Sequence, residues 1–206
     1  MKINCQNGRK MMMKNIKTAL LIVFAAGSFL LNGGELYPAG DFESGNIVPP
    51  LSVRRFISIS KKRGKAPDGT VEEKIQGEKV INGKQSLLLT AKENGVHEWS
   101  LPNMPVTPGR KYRFSVSYLV EEANPGFSIG CRILLLCTGD KPKYIFGNAK
   151  IEQGKVMHLQ REFTALENTH SVHITLWINQ GPYKIYIDDF KLTEMDEDSS
   201  AQPRNQ

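Results

Sequence analysis

The chain predicts an all-β fold, a sandwich or barrel of short antiparallel strands. Three observations carry the prediction. Several segments alternate apolar and polar residues with period two. Turn signals punctuate them at regular intervals. Apart from one leading stretch, no segment carries an apolar stripe at helical spacing.

The clearest alternation is "KYRFSVSYLV", residues 111–120. Tyr112, Phe114, Val116, Tyr118 and Val120 point one way, and Lys111, Arg113, Ser115 and Ser117 the other. "MHLQREFTA" sets Met157, Leu159 and Phe163 against His158, Gln160 and Glu162. "SVHITLWIN" buries Val172, Ile174, Leu176 and Ile178, and its polar face shows His173, Thr175, Trp177 and Asn179. "QSLLLTA", "IGCRILLLC", "KYIFGNAKI" and "KIYIDDFKL" read as further strands, with "VRRFISIS" a weaker candidate. "NGK", "TPGR", "NPG", "TGDKP" and "NQGP" mark turns between them. "KKRGKAPDGT", residues 61–70, reads as a solvated basic loop, and residues 194–206 as a disordered polar tail.

The formal charge of +6 is misleading. Residues 1–34 hold five basic residues (Lys2, Arg9, Lys10, Lys14, Lys17) and no acid. Taking those five from the 27 leaves 22 basic against 21 acidic residues, a net of +1. Such a domain has no electrostatic reason to seek nucleic acid. The leading segment reads as an export signal: "MMMKNIK" supplies positive charge and "TALLIVFAAGSFLL" the apolar stretch. That stretch is shorter than the ~20 residues of a membrane span. The expectation is a signal over 1–34, with translation starting at Met1 or at Met11–Met13, and a secreted, periplasmic or cell-surface domain over 35–193. A membrane partner enters only if the segment stays uncleaved. Cys131 and Cys137 share one strand and would lie ~20 Å apart at ~3.3 Å per residue. They cannot pair with each other, and read as buried thiols.

Five segments, in order, resemble the cellulose- and xylan-binding type of carbohydrate-binding module. "ELYPAGDFESG" is similar to its opening N-L-x-x-N-G-D-F-E-x-G, and "INGKQSLLLTA" to its G-x-x-S-L-x-V strand. "VTPGRKYRFSVSYLV" is similar to its P-G-x-x-Y-x-F-S segment. "MHLQREFTA" with "HSVHITLWIN", then "YKIYIDDFKL", match its closing strands. The likeness spans residues 35–192. It implies a galactose-binding-like jelly roll of two antiparallel sheets, polysaccharide or glycan as partner, and a structural calcium ion. Two features depart from the family. The stretch after the opening motif holds only Phe56 as an aromatic, and the module reads as standing alone rather than beside a hydrolase or lyase.

The carboxylates fit the calcium expectation, because calcium takes oxygen ligands from carboxylates, backbone carbonyls and water. Asp41 and Glu43 in the opening motif, and Asp188 and Asp189 in "IDDF", become neighbours if the first and last strands pair. A carboxylate ending an apolar strand is costly unless partnered. A glycosidase pair is not expected there, since it needs two acids facing across a cleft, and no GxSxG elbow is present. For sugar, a flat ring covers the C–H face of a pyranose while polar side chains meet its hydroxyls. His173, Thr175, Trp177 and Asn179 offer that mixture. His158, Gln160 and Glu162 extend it if their strand pairs alongside, and Trp99 and Tyr144 are further candidates.

Three functions compete: a non-catalytic glycan-binding module, a structural or adhesive jelly roll, and a small polysaccharide-degrading enzyme. Exposed aromatics on a face favour the first, a face filled by apolar side chains the second, and a convergent His, Tyr and Arg set the third.

Overall fold

The computed structural model describes residues 34–59 and 62–195. The export-signal reading of residues 1–33 and the tail beyond 195 lie outside the described residues. A short 3-10 turn (Pro38–Asp41) precedes eleven strands: β1 (Ser52–Ile59), β2 (Lys62–Lys65), β3 (Val71–Gln76), β4 (Ser86–Ala91), β5 (Gly95–Pro105), β6 (Lys111–Ala123), β7 (Ser128–Cys137), β8 (Lys143–Asn148), β9 (Val156–Thr164), β10 (Thr169–Asn179) and β11 (Tyr183–Glu194). They form two antiparallel sheets, in the orders β2-β1-β5-β10-β7-β8 and β3-β4-β11-β6-β9. The fold is a jelly-roll sandwich.

The alternation read from the chain builds its core. On the five-stranded sheet Ile187 sits between Tyr118 and Leu87, and Ile185 between Val120 and Leu89, all buried. On the six-stranded sheet Ile174 faces Ile133 and Leu176 faces Cys131, also buried. Burying a side chain of this size contributes about 1.5–3 kcal/mol. In β11 the register shifts between Asp188 and Lys191, and Asp189 adopts φ 50°. This bulge inserts one residue, so Phe190 and Leu192 return to the core after Ile185 and Ile187. The opening segment pairs beside it: Leu36 N–H donates to the Leu192 carbonyl at 2.7 Å. Gly40 is required in this contact, since a Cβ there would meet the Phe190 carbonyl oxygen at 1.8 Å.

Several elements differ from the sequence reading. Residues 62–65 form an edge strand paired with β1 rather than a loop. Its basic composition suits an edge, because charge there discourages pairing with another chain. β3 and β5 were not expected. β5 is buried on both faces for most of its length, so alternation is absent, and it carries Pro102. β11 runs on to Glu194, whose carboxylate accepts from Arg110 Nε at 2.8 Å and from Tyr112 Oη at 3.2 Å. Thus residue 194 closes the last strand rather than opening a tail.

A polar chain runs through one end of the sandwich. Tyr183 Oη lies 2.6 Å from His97 Nδ1, His97 Nε2 lies 3.3 Å from Glu73 Oε1, and Arg55 grips the Glu73 carboxylate. His97 is fully buried and Tyr183 nearly so. The partners assign the tautomer: Tyr183 donates to Nδ1, and Nε2 carries the proton toward Glu73. Burial lowers the His97 pKa below its ordinary 6.5, outweighing the pull of Glu73. Burial alone would raise Glu73, but the His97 ring 3.3 Å away and the hydrogen bonds from Arg55 hold it low.

Two outcomes follow. Tyr183→Phe removes the hydroxyl that meets His97 Nδ1 and should cost about 1–3 kcal/mol in denaturant unfolding. The folded state prefers neutral His97, so the unfolded chain binds more protons below about pH 6.5. This contribution is complete above that value and is lost as pH falls through it. The melting temperature should drop between pH 7.5 and 5.5, and His97→Gln, though less stable throughout, should flatten that slope.

Candidate functional site

The outer face of the six-stranded sheet gathers residues from five strands into rows. Register places Arg54, Glu98, Trp177, Gly130 and Asn148 side by side from β1 to β8. The next row runs Ser52, Ser100, Thr175, Arg132 and Phe146. His173, Leu134 and Tyr144 follow, while Asn179 lies beside Ser128 at the other end. These are the positions opposite the buried set of β10, as strand parity requires.

Trp177 is half-buried and its indole lies across Gly130. A Cβ on Gly130 would come within 2.5–2.8 Å of three indole atoms. Glycine is therefore what lets the ring rest on the strand. At the β8 edge Tyr144 and Phe146 are 54% and 62% exposed, with parallel rings 6.2 Å apart. Arg54 lies 3.7 Å from Glu98. Thr175 Oγ1 and Arg132 Nε are buried without a hydrogen-bond partner. Burial lowers the pKa of His173, and Arg132 and Arg54 lower it further while Glu98 opposes them.

The structure brings His173, Thr175, Trp177, Asn179 and Tyr144 onto this one face. It does not bring the others there. Trp99 belongs to the core, 1% exposed and edge-on to Phe42 at 6.4 Å. Its neighbours Val96 and Leu101 are buried as well. His158, Gln160 and Glu162 lie on the opposite side of the molecule, because β9 pairs with β6 and not with β10. There His158 and Gln160 border a groove of about 610 Å³ lined also by Arg113, Ser115, Ser117 and Asp189, with no Phe, Tyr or Trp among its described lining residues, while Glu162 pairs with Arg113 beside it. Within it Ser117 Oγ lies 3.0 Å from His158 Nδ1 and 3.5 Å from Asp189 Oδ2. The serine stands between the two, so Asp189 does not orient the imidazole, and a nucleophilic relay is not assembled. Phe146, Arg132, Arg54 and Glu98 were missed. Their face follows from pairing register, which no single segment encodes.

Three of the four acids of the opening and closing motifs, Glu43, Asp188 and Asp189, meet at a shared loop over residues 82–86. Glu43 Oε1 accepts the backbone N–H groups of Lys84 (2.7 Å) and Gln85 (3.1 Å), which hold its pKa low. Asp188 is fully buried, and its Oδ2 accepts from Ser86 Oγ at 2.7 Å and from Asn82 N–H at 3.1 Å. Burial pushes its pKa up, against those hydrogen bonds. Asp189 is ion-paired with Lys191 at 2.8 Å, and Asp41 Oδ1 accepts the Glu43 N–H. Among the described residues no three acid, His or Cys side chains converge as a metal site. Asp188 is a buried anion with no basic side chain in ion-pair contact among the described residues, its oxygens accepting from Ser86, Asn82 and the Asp189 N–H. Asp189 also reaches this loop, accepting from Asn82 Nδ2 at 3.3 Å, whereas Asp41 is turned to the Glu43 N–H.

No family model and no curated protein matches this chain. Solved structures do. The enzymatically active domain of tailspike protein 4 from bacteriophage CBA120 superposes with a TM-score of 0.59 at 10% identity, over 78% of this chain, which spans only 21% of that one. The CBM22-1 xylan-binding domain of Paenibacillus barcinonensis Xyn10C gives 0.54 at 16% identity, covering 80% of this chain and 97% of that domain. TmCBM61, solved with β-1,4-galactotriose, gives 0.53 at 17% identity, over 77% and 97%. The sandwich fold is shared with these domains. At these identities the likeness shows the sandwich fold and not a ligand.

The two tryptophans report on this geometry. In Trp177→Phe protein, the remaining Trp99 fluorescence should resist iodide quenching. Gly130→Ala should push the Trp177 ring outward, shifting emission to the red and raising its quenching. Unchanged emission would contradict the seat described for the indole.

Proposed function

We propose that this chain is a non-catalytic carbohydrate-binding module that holds a polysaccharide across the outer face of the six-stranded sheet. One observation carries the reading: a half-buried indole seated on Gly130 shares that face with two exposed rings and a row of polar side chains. A pyranose ring stacks its C–H face on the indole, while His173, Asn179 and Glu98 are placed for its hydroxyls. The exposed rings favour this over a purely structural jelly roll. The His97, Tyr183 and Arg55 set converges as an enzyme would require, but His97 and Tyr183 are enclosed in the sandwich, away from any polymer. An exported location accords with the leading segment.

Titration against soluble polysaccharides tests the proposal. Trp177→Ala should weaken binding on the order of tenfold to a hundredfold, the loss of one aromatic contact surface. Failure of every glycan to bind would overturn it.

We further propose that a structural calcium ion is held by Glu43 and Asp188 with backbone oxygens of the 82–86 loop. When bound, it neutralises the buried Asp188 carboxylate and ties the opening turn to β11. A chelator should then lower the melting temperature, and added calcium restore it, since a ligand of the native state stabilises that state. A melting temperature indifferent to both would contradict the metal.

A further inference from the structure

The charge on the proposed binding face is unbalanced, and the imbalance is local. Among the described residues Arg54, Arg132 and His173 stand near one carboxylate, Glu98, and Arg54 engages it at 3.7 Å. Among the described residues no carboxylate lies in ion-pair contact with Arg132. Its Nε is buried without an acceptor, and the neighbouring Thr175 Oγ1, on a residue 2% exposed, also lacks a partner. An arginine whose Nε is withdrawn from water without an acceptor is unfavourably placed until an anion compensates its charge.

Its position matters as much as its charge. Arg132 lies in register between Thr175 and Phe146, two residues along β7 from the Gly130 that seats Trp177. Two residues on a strand span ~6.6 Å, and neighbouring strands lie ~4.8 Å apart. An acidic substituent on a sugar stacked at Trp177, or on the next sugar toward Phe146, falls within reach of the guanidinium. The planar fork of arginine matches a carboxylate or sulfate with two parallel hydrogen bonds. A neutral hydroxyl meets it with one weaker bond.

We infer that the polysaccharide this face takes is anionic, a uronate- or sulfate-bearing glycan whose acidic group docks on Arg132. The inference rests on the carbohydrate-binding reading above. It makes Trp177 the stacking platform and Arg132 the residue that sets ligand class.

The test uses polygalacturonate, the same polymer after carboxyl reduction, and dextran sulfate beside neutral dextran. Binding is measured at low and at 0.3 M NaCl for wild type, Arg132→Gln, Arg132→Lys, Trp177→Ala and Arg113→Gln. Arg113 lies on the opposite sheet and controls for non-specific charge. Wild type should bind an acidic polymer at least tenfold more tightly than its neutral counterpart, with the advantage shrinking in salt. Arg132→Gln should abolish the advantage, Arg132→Lys should keep part of it, and Arg113→Gln should leave it intact. Preference for polygalacturonate assigns a carboxylate, and preference for dextran sulfate a sulfate. Equal, Trp177-dependent binding of charged and neutral polymers would overturn this inference and leave the glycan-binding face standing. Equal losses in Arg132→Gln and Arg113→Gln would reduce the preference to non-specific charge and overturn it as well. No binding by any polymer on a broad neutral and acidic panel would remove the underlying reading too.

Discussion

Asp188 is the constraint around which the rest is arranged. A carboxylate with no exposed surface must be compensated, and here the compensation comes from elements far apart in sequence. Ser86 and Asn82 donate to it from the loop that leads into β4. The same loop offers its Lys84 and Gln85 N–H groups to Glu43 in the opening turn. One loop is thus gripped from both sides, by the beginning of the domain and by its last strand. The bulge at Asp189 exists in this setting: it lets the acid leave the core alternation without taking Phe190 and Leu192 with it.

That clasp reaches the proposed binding face by contact. Glu43 follows Phe42, a buried residue in left-handed conformation whose ring meets Trp99 edge-on. Trp99 is the inward residue of β5, in register with Leu176 of β10. The outward neighbours of that same pair are Glu98 and Trp177. Acids read from the sequence as calcium ligands thus also brace the sandwich, and the indole they support through two rings and a strand pair lies on the proposed binding face. Arg132, Thr175 and Phe146 complete that surface from the next row of the sheet.

The sandwich was legible where one face of a strand is buried and the other solvated. β6 and β10 show this in every second residue, so Trp177, His173, Thr175 and Asn179 could be placed on one face from the chain alone. β5 was illegible for the opposite reason: buried on both sides, it has no alternation to read. β3 hid behind its charges, as an edge strand whose solvated positions carry Glu72 and Lys74. Pairing was the harder limit. His158 and His173 sit on consecutive strands, and adjacency in sequence argued for adjacency in space. The chain instead crosses between sheets after β9, which sends His158, Gln160 and Glu162 to the far side. Arg132 and Phe146 were invisible as site residues for the same reason, because only long-range register lays β7 and β8 beside β10.

The most direct test of the account is a map of ligand contact on the intact domain. The protein has two tryptophans, so a proton–nitrogen NMR spectrum holds two indole N–H signals. Oligosaccharides from xylan and from polygalacturonate can be titrated while both are followed. The account predicts that the Trp177 indole moves, with backbone amides of residues 130–132 and 173–179, while the Trp99 indole and the amides of Ser115, Ser117, His158 and Gln160 stay in place. Shifts confined to the second set, or an unmoved Trp177 signal under saturating ligand, would contradict it.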